Sequence, residues 1–403
     1  MSTVLRVSLN ETPIGTVTLL PSSGIFFAFD EDFLNKKNKL VLSQSFFKQN
    51  GELIPETKVS SAKLPPFFAN LLPEGHMREY IAQRGNIKPS QEFKLLEFLG
   101  HDLPGAVIVT PLEGMGASEF HTHHQEHNEG NSYRFSLAGV QLKFSAIAGR
   151  RGGLTIPAQG VGGNWIIKLP AQNYAHVPEN EYAMMQLAAR IGIPVPEIKL
   201  ISLDEIAGLP EMGLLIGKKA LAVKRFDRTQ HGQRIHMEDF AQVYNIYPQK
   251  KYEGVSFANV TGMIWSLCGE QGLTDFIRRL TFTILTGNGD MHLKNWSFIY
   301  EDGITPSLSP AYDMVSTIPY IPEDKLALQL ADTKDMKSIS MAHFKKLVDK
   351  AQVPEYMVIK TVRETVEVTR EVWAGEAQHF GLPKEIGEAI QRHMDSVNLS
   401  FLT

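Results

Sequence analysis

Residues 274–295 read TDFIRRLTFTILTGNGDMHLKN, and residues 296–314 continue WSFIYEDGITPSLSPAYDM. The first dozen residues predict a helix with Thr274 as its cap. Gly287 and Gly289 break that helix and free the backbone for a tight loop. Trp296 to Tyr300 is a strand, Glu301, Asp302 and Gly303 a hairpin turn, and Ile304–Leu308 the return strand. A single carboxylate, Asp313, follows in the segment Ser309 to Met314.

Asp290 and Asn295 stand in the D-x-x-x-x-N spacing of a kinase catalytic loop. The chemistry needs both residue types. Asp290 accepts the proton of an attacking hydroxyl and orients it. Asn295 offers an amide oxygen to Mg²⁺, a hard cation that prefers oxygen, and Asp313 binds the metal that bridges the phosphates. A loosely held phosphoryl group needs positioning and charge neutralisation more than covalent help. The spacing alone recurs by chance, since a loop Asp and Asn often satisfy turn backbone. The preceding helix, the hairpin and the third carboxylate lift it above that. The rival chemistry is a Mg²⁺ phosphohydrolase using Asp290, His292 and Asp313, which leaves the upstream residues without a role.

Those upstream residues are a loop and a lysine. Residues 135–146 read FSLAGVQLKFSA; Ala138 and Gly139 let backbone N–H groups approach phosphate oxygens, and Lys143 adds charge. The loop is not a Walker A, because GxxxxGK[ST] is absent. Lys168 lies on the strand Trp165 to Pro170 and is placed to pair with the α- and β-phosphates. Glu181, near the start of the next helix, is placed to hold Lys168. Singly, Lys168 reads as a solvated strand-end lysine and Glu181 as a dipole-favoured first-turn acid; their order along the chain raises both. Residues 160–163 (GVGG) imitate a glycine loop but read as a flexible hairpin.

The chain has 403 residues, 44 acidic against 40 basic, which allows two or three domains and argues against a lone nucleic-acid binder. One cysteine, Cys268, excludes an internal disulfide and a Cys-based zinc site. The first residues alternate like a strand with no signal-peptide core, and no apolar run spans a bilayer, so a cytoplasmic protein without membrane attachment is expected. Residues 4–28 predict two or three strands and residues 65–100 helices, a small α+β unit. Residues 113–133 are polar and rich in Gly and His; His121, His123, His124 and His127 read as a solvated loop rather than a metal site. Pro178 and Gly192 bracket a helix, Ala220 to Phe226 is a strand, and the chain beyond Glu238 is mostly helical, with amphipathic stretches at 341–375 and 384–400.

Taken in order, these segments resemble the HipA-type serine/threonine kinases. The likeness runs through residues 136–143 (SLAGVQLK), 167–170 (IKLP), 180–182 (NEY), 223–228 (VKRFDR), 238–240 (EDF), 289–295 (GDMHLKN) and 309–314 (SPAYDM), with 64–75 (LPPFFANLLPEG) matching the family's N-terminal subdomain. The resemblance implies an α+β architecture. Residues 1–112 are then the N-terminal subdomain and 113–133 a His-rich linker. Residues 134–230 form a kinase N-lobe carrying the phosphate loop, and 231–403 a helical C-lobe with ATP in the cleft between lobes.

It also implies roles. Asp290 is the base, with Asn295 and Asp313 as Mg²⁺ ligands. Ala138, Gly139, Val140, Gln141, Leu142 and Lys143 form the phosphate loop, and Lys168 contacts the nucleotide. Lys224, Arg225 and Phe226 join the lobes beside the adenine, while His292, Tyr312 and Asp313 lie beside the nucleotide. Ser136 matches the family's autophosphorylated serine; a phosphate there adds negative charge to the loop that cradles phosphates and switches the kinase off. Family members phosphorylate an aminoacyl-tRNA synthetase and are restrained by a small helix-turn-helix antitoxin (HipB-like), through which the pair contacts operator DNA. Leu142 stands where Glu is common and Lys224 where Glu often precedes Arg-Phe; neither removes the base or a metal ligand. The alternatives are a HipA-like kinase with a non-toxin target and an inactive co-repressor partner of the antitoxin.

Overall fold

The computed structural model describes residues 2–112, 143–148, 154–156, 163–209 and 215–399. The phosphate-loop residues Ala138 to Leu142, Ser136 and the four linker histidines lie outside them.

The N-terminal strands alternate apolar and polar side chains, which dries one sheet face. Strands β1 (Thr3–Leu9), β2 (Thr12–Leu19) and β3 (Gly24–Phe29) form an antiparallel meander, followed by the short helix α1 (Glu31–Leu34). A two-residue strand, β4 (Ser60–Ser61), extends one edge. Helices α2 (Pro66–Leu71), α3 (Gly75–Arg84) and α4 (Glu92–Leu99) come next, and β5 (Val107–Pro111) returns beside β1, giving the order β4-β3-β2-β1-β5. Phe27, Phe29, Phe33, Phe46, Phe67 and Phe68 fill the core, with the Phe27 and Phe68 rings 5.1 Å apart. Truncating one such ring to alanine costs about 3–5 kcal/mol.

The second unit is a six-stranded sheet of β6 (Lys143–Ala148), β7 (Leu154–Thr155), β8 (Trp165–Lys168), β9 (Ile198–Ser202), β10 (Ile206–Ala207) and β11 (Lys219–Lys224), ordered β10-β7-β6-β8-β11-β9. Helix α5 (Val177–Arg190) sits between β8 and β9 in the chain, with Pro178 in its first turn and Gly192 at φ +81° just past its end. Alternation gives the sheet two buried faces. Leu221 and Val223 meet Met184 and Leu187 of α5, while Ala220, Ala222, Ile167 and Phe144 share a cluster with Tyr80 of α3. The N-terminal unit therefore covers one face of this sheet.

The third unit starts with β12 (His236–Asp239) and α6 (Phe240–Val243), where Asp239 and Gln242 form a capping box. Helix α7 (Phe257–Thr286) is capped by Ser256 and broken at Gly269, whose φ/ψ of 61°/−152° is not helical. Thr274 is thus an interior residue of the second half, not the cap expected, because that half already begins just after Gly269. β13 (Ser297–Tyr300) pairs with β12 and with β14 (Ser307–Leu308). The return strand is shorter than Ile304–Leu308: the Asp302 carboxylate accepts from the backbone N–H of Ile304 (2.8 Å) and Thr305 (2.7 Å), which diverts those donors from a ladder. Helices α8 (Met341–Ala351), α9 (Glu355–Glu376) and α10 (Lys384–Ser396) complete the unit and pack on α7.

A polar network ties the first unit to the rest. Arg225 donates Nε to Asp227 Oδ1 (2.9 Å) and Nη2 to Oδ2 (2.8 Å), and Gly105 N–H donates to the same Oδ2 (2.8 Å). Arg228 reaches Gly105 O (3.0 Å), Arg234 reaches Val107 O (3.3 Å), and Asp102 faces both Arg225 and Arg228 at 3.4 Å.

Candidate active site

The site forms where the six-stranded sheet meets the loops that follow α7. In the β6–β8 ladder Lys143 lies directly opposite Lys168, so two ammonium groups share one sheet face. Like charges so placed repel, and carboxylates from elsewhere compensate. Lys168 Nζ, buried, donates to Glu181 Oε1 and to Asp313 Oδ1. Lys143 Nζ donates to Asp313 Oδ2 at 2.8 Å. Burial by itself pulls the Lys168 ammonium down, but Asp313 and Glu181 outweigh it and hold its pKa above the ordinary value. Burial by itself pushes Asp313 up, and the two ammonium groups overcome it and hold the carboxyl far below the usual range. Glu181 is pushed up by burial, with Lys168 opposing and Asp313 assisting. The Asp313 side chain is 19% exposed, so it is not sealed from solvent.

Helix α7 ends with Gly287 in the left-handed region (φ +68°), and the loop turns over Asn288 and Gly289. Asn288 Oδ1 accepts from Asp290 N–H (3.0 Å), and its Nδ2 approaches Asp313 O (3.4 Å), so one amide links the loop to the Asp313 segment. Asn295 donates Nδ2 to Asp290 O (2.8 Å), and its amide oxygen has no hydrogen-bond partner among the described residues. Asp290 is exposed, yet desolvation by the groups around it pushes its carboxyl upward; Tyr252 opposes this by donating its hydroxyl to Oδ1 at 2.6 Å. Asp313 is near enough to raise Asp290 further and Lys143 near enough to lower it, which puts these groups in one field. His292 is buried, its pKa pushed down to about 3 by burial, and its Nδ1 accepts from Lys294 N–H (3.3 Å), so the neutral ring carries its proton on Nε2.

The lobe-joining segment divides. Phe226 lies against Tyr312, ring centroids 5.6 Å apart, beside Asp313. Lys224 points outward to Glu197 (2.9 Å) and Arg225 into the Asp227 network, so both side chains are engaged away from the cleft. Tyr312 is fixed by Ser297 Oγ and by donating to Lys294 O (3.1 Å).

Three groups carried no site signal in the sequence: Tyr252, Lys251 and Glu74. Glu74 ion-pairs with Lys294 (2.7 Å) inside the catalytic loop and with Lys251 (3.1 Å), and Lys251 O accepts from Leu293 N–H (3.2 Å). Residues 64–75 stood out only as a resemblance; that their polar end reaches the catalytic loop is a fact of tertiary packing.

Among the described residues no cluster of three or more His, Cys, Asp and Glu side chains forms a metal site. Asp313 and Asn295 offer the donor types, a carboxylate and an amide oxygen, that Mg²⁺ takes when it completes its shell with water and phosphate. No helix among the described residues is long and apolar enough to cross a membrane.

Sheet, helix-borne glutamate, the glycine-broken loop after α7 and the downstream aspartate define a kinase-like protein with an added N-terminal unit. The chain belongs to the HipA family: the HipA-like C-terminal domain matches residues 135–373 and the HipA N-terminal domain residues 5–110. It is 47% identical over 401 residues to the Sinorhizobium fredii protein named "Putative kinase Y4dM", covering 98% of each chain. It is 27% identical over 346 residues to the "Serine/threonine-protein kinase toxin HipA" of Shewanella oneidensis, covering 75% of each. Its fold matches a chain of the solved complex of Shewanella oneidensis HipA, HipB and operator DNA with a TM-score of 0.73 at 22% identity, over 97% of this chain and 95% of that one.

Proposed function

We propose that this protein is an ATP- and Mg²⁺-dependent serine/threonine protein kinase and the toxin of a toxin–antitoxin pair. The observation that carries the reading is the buried Lys168, held between Glu181 on α5 and Asp313. A lysine fixed by a helix-borne glutamate and set beside a metal-binding aspartate is the arrangement protein kinases use for phosphoryl transfer.

Asn295 and Asp313 would hold Mg²⁺, which when bound would neutralise charge on the transferring phosphoryl group. Lys168 meets the α- and β-phosphates, and the loop from Ala138 through Gly139, Val140, Gln141 and Leu142 to Lys143 covers them. Phe226 and Tyr312 form the apolar wall beside the adenine, with backbone of Lys224 and Arg225 at the hinge, and neutral His292 lines the floor. Asp290 takes the proton of the acceptor hydroxyl as its oxygen attacks the γ-phosphorus; the bond to ADP breaks in the same step.

Kinship with kinases so named and with a HipA toxin supports the class. The fold shared with a chain from a HipA–HipB–DNA complex supports a helix-turn-helix antitoxin as partner, with DNA contacted through it. An aminoacyl-tRNA synthetase as target and Ser136 as the self-modified switch extend the reading by family resemblance.

Incubation with labelled ATP and Mg²⁺, followed by mass-spectrometric mapping, tests it. Label is expected on Ser136 in the protein alone and on one serine of a target in lysate. Asp290→Asn is expected to lose transfer by at least about 10²-fold while keeping nucleotide affinity. Equal labelling by that variant would remove Asp290 from the role of base.

A further inference from the structure

The phosphoryl-transfer reading, on which this inference rests, leaves one contact at the base unexplained. Tyr252 donates its hydroxyl to Asp290 Oδ1 at 2.6 Å. A serine acceptor must donate to that carboxylate from the same kind of distance, about 2.6–3.2 Å. The phenol therefore fills one of the acceptor positions on this carboxylate that a substrate hydroxyl would use. It is not itself placed as an acceptor: burial, reinforced by Asp290, pushes its pKa above the ordinary value, so the phenol keeps its proton.

The ring is held but not entombed. It packs edge-on against His292 with centroids 5.0 Å apart, and the residue is 42% exposed. Its own segment is fastened to the catalytic loop through Lys251 O and Leu293 N–H. The fastening continues into the N-terminal unit. Glu74 pairs with Lys251 and Lys294, and Lys294 also donates to Asn70 O at 3.1 Å. Burial raises the Glu74 carboxyl, but both lysines outweigh it and keep it ionised.

We propose that Tyr252 is the gate of the acceptor site, its hydroxyl occupying on Asp290 the place of the substrate hydroxyl, and that Glu74 of the N-terminal unit holds the gate closed. A protein substrate enters by displacing the phenol. With no substrate, the phenol keeps water from Asp290 and so suppresses futile hydrolysis of ATP.

The test uses the full chain. Mg-ADP binding is measured first by calorimetry, then acceptor-free ATP hydrolysis, then transfer to dephosphorylated casein. Tyr252→Phe keeps the ring on His292 and removes the hydroxyl. It is expected to raise acceptor-free hydrolysis several-fold and to lower KM for casein several-fold, with kcat within about twofold and Mg-ADP affinity unchanged. Glu74→Gln is expected to move hydrolysis the same way by a smaller factor. A tyrosine that merely supports the fold would instead lower the melting temperature and the hydrolysis rate together. Unchanged or slower hydrolysis in Tyr252→Phe overturns the gate while leaving the kinase reading in place if Mg-ADP binds. Absence of Mg-ADP binding in the unmodified protein overturns both.

Discussion

Asp313 is held by its surroundings more than by its own preference. Its φ of +55° lies in the left-handed region, which Asp and Asn tolerate and most side chains do not. The backbone thereby turns the carboxylate toward Lys143 and Lys168. Gly289 shows how little room the neighbouring loop has. A Cβ there would press on Asp324 Oδ2 and come within 2.7 Å of Lys325 O, while Thr317 Oγ1 already accepts the Gly289 N–H at 2.8 Å. Gly289→Ala is expected to shift the loop that carries Asp290. Since a displacement of about 1 Å costs roughly 10²-fold in rate, kcat should fall by that order, with Mg-ADP affinity little altered. Steady-state kinetics beside calorimetry check it; an unchanged kcat would mean the loop has slack the packing does not suggest.

Among the elements, α7 carries the most telling irregularity. Gly269 adopts a conformation open essentially to glycine alone, and a Cβ at that position would meet nothing within 4 Å. The penalty for Gly269→Ala is therefore conformational, about 1–3 kcal/mol. Urea unfolding should register it as a lower midpoint with an unchanged slope.

The sequence spoke clearly about elements whose signals are local. Pro178 and Gly192 marked α5, Glu301 to Gly303 marked the β13–β14 turn, and Gly287 ended α7. The order of Lys168, Glu181, Asp290, Asn295 and Asp313 was legible because each sits in a short recognisable segment. Other features depend on pairings far apart in the chain. Nothing local aligns Lys143 with Lys168, sets Tyr252 on Asp290, or brings Glu74 to Lys294, more than 200 residues away. Thr274 misled because a good cap residue also fits inside a helix when the turn before it continues.

At the scale of the whole molecule, Glu238 records how the units are joined. It is fully buried on β12, accepts Gln44 N–H from the N-terminal unit at 3.0 Å, and receives the Tyr300 hydroxyl. Burial pushes its pKa from 4.5 up to about 7, opposed by the hydrogen bonds from Ser43 and Tyr300. A carboxyl raised on folding stabilises the native state fully below its unfolded pKa, and that contribution is lost as pH climbs from 4.5 to about 7. The loss is about 3 kcal/mol at most. Glu238→Gln keeps the acceptor oxygen and removes the titration. Its melting temperature should gain on the unmodified protein between pH 5 and pH 8; parallel curves would show that Glu238 stays neutral or hydrated throughout.

The network of Asp102, Arg225, Asp227, Arg228 and Arg234 sets the terms on which the molecule can be divided. Two guanidinium groups, Arg225 and Arg228, share two carboxylates while Arg234 binds backbone carbonyls, and Asp102, together with the carbonyl acceptors of His101, Leu103, Gly105 and Val107, belongs to the first 112 residues. Severing that segment would leave Arg225 and Arg228 with Asp227 alone and Arg234 without its carbonyl acceptors, at a freshly bared sheet face. A shortened chain keeping only the lobes would arrive sticky and overcharged at the same spot, and an expression strategy built on it would fail for reasons unrelated to catalysis.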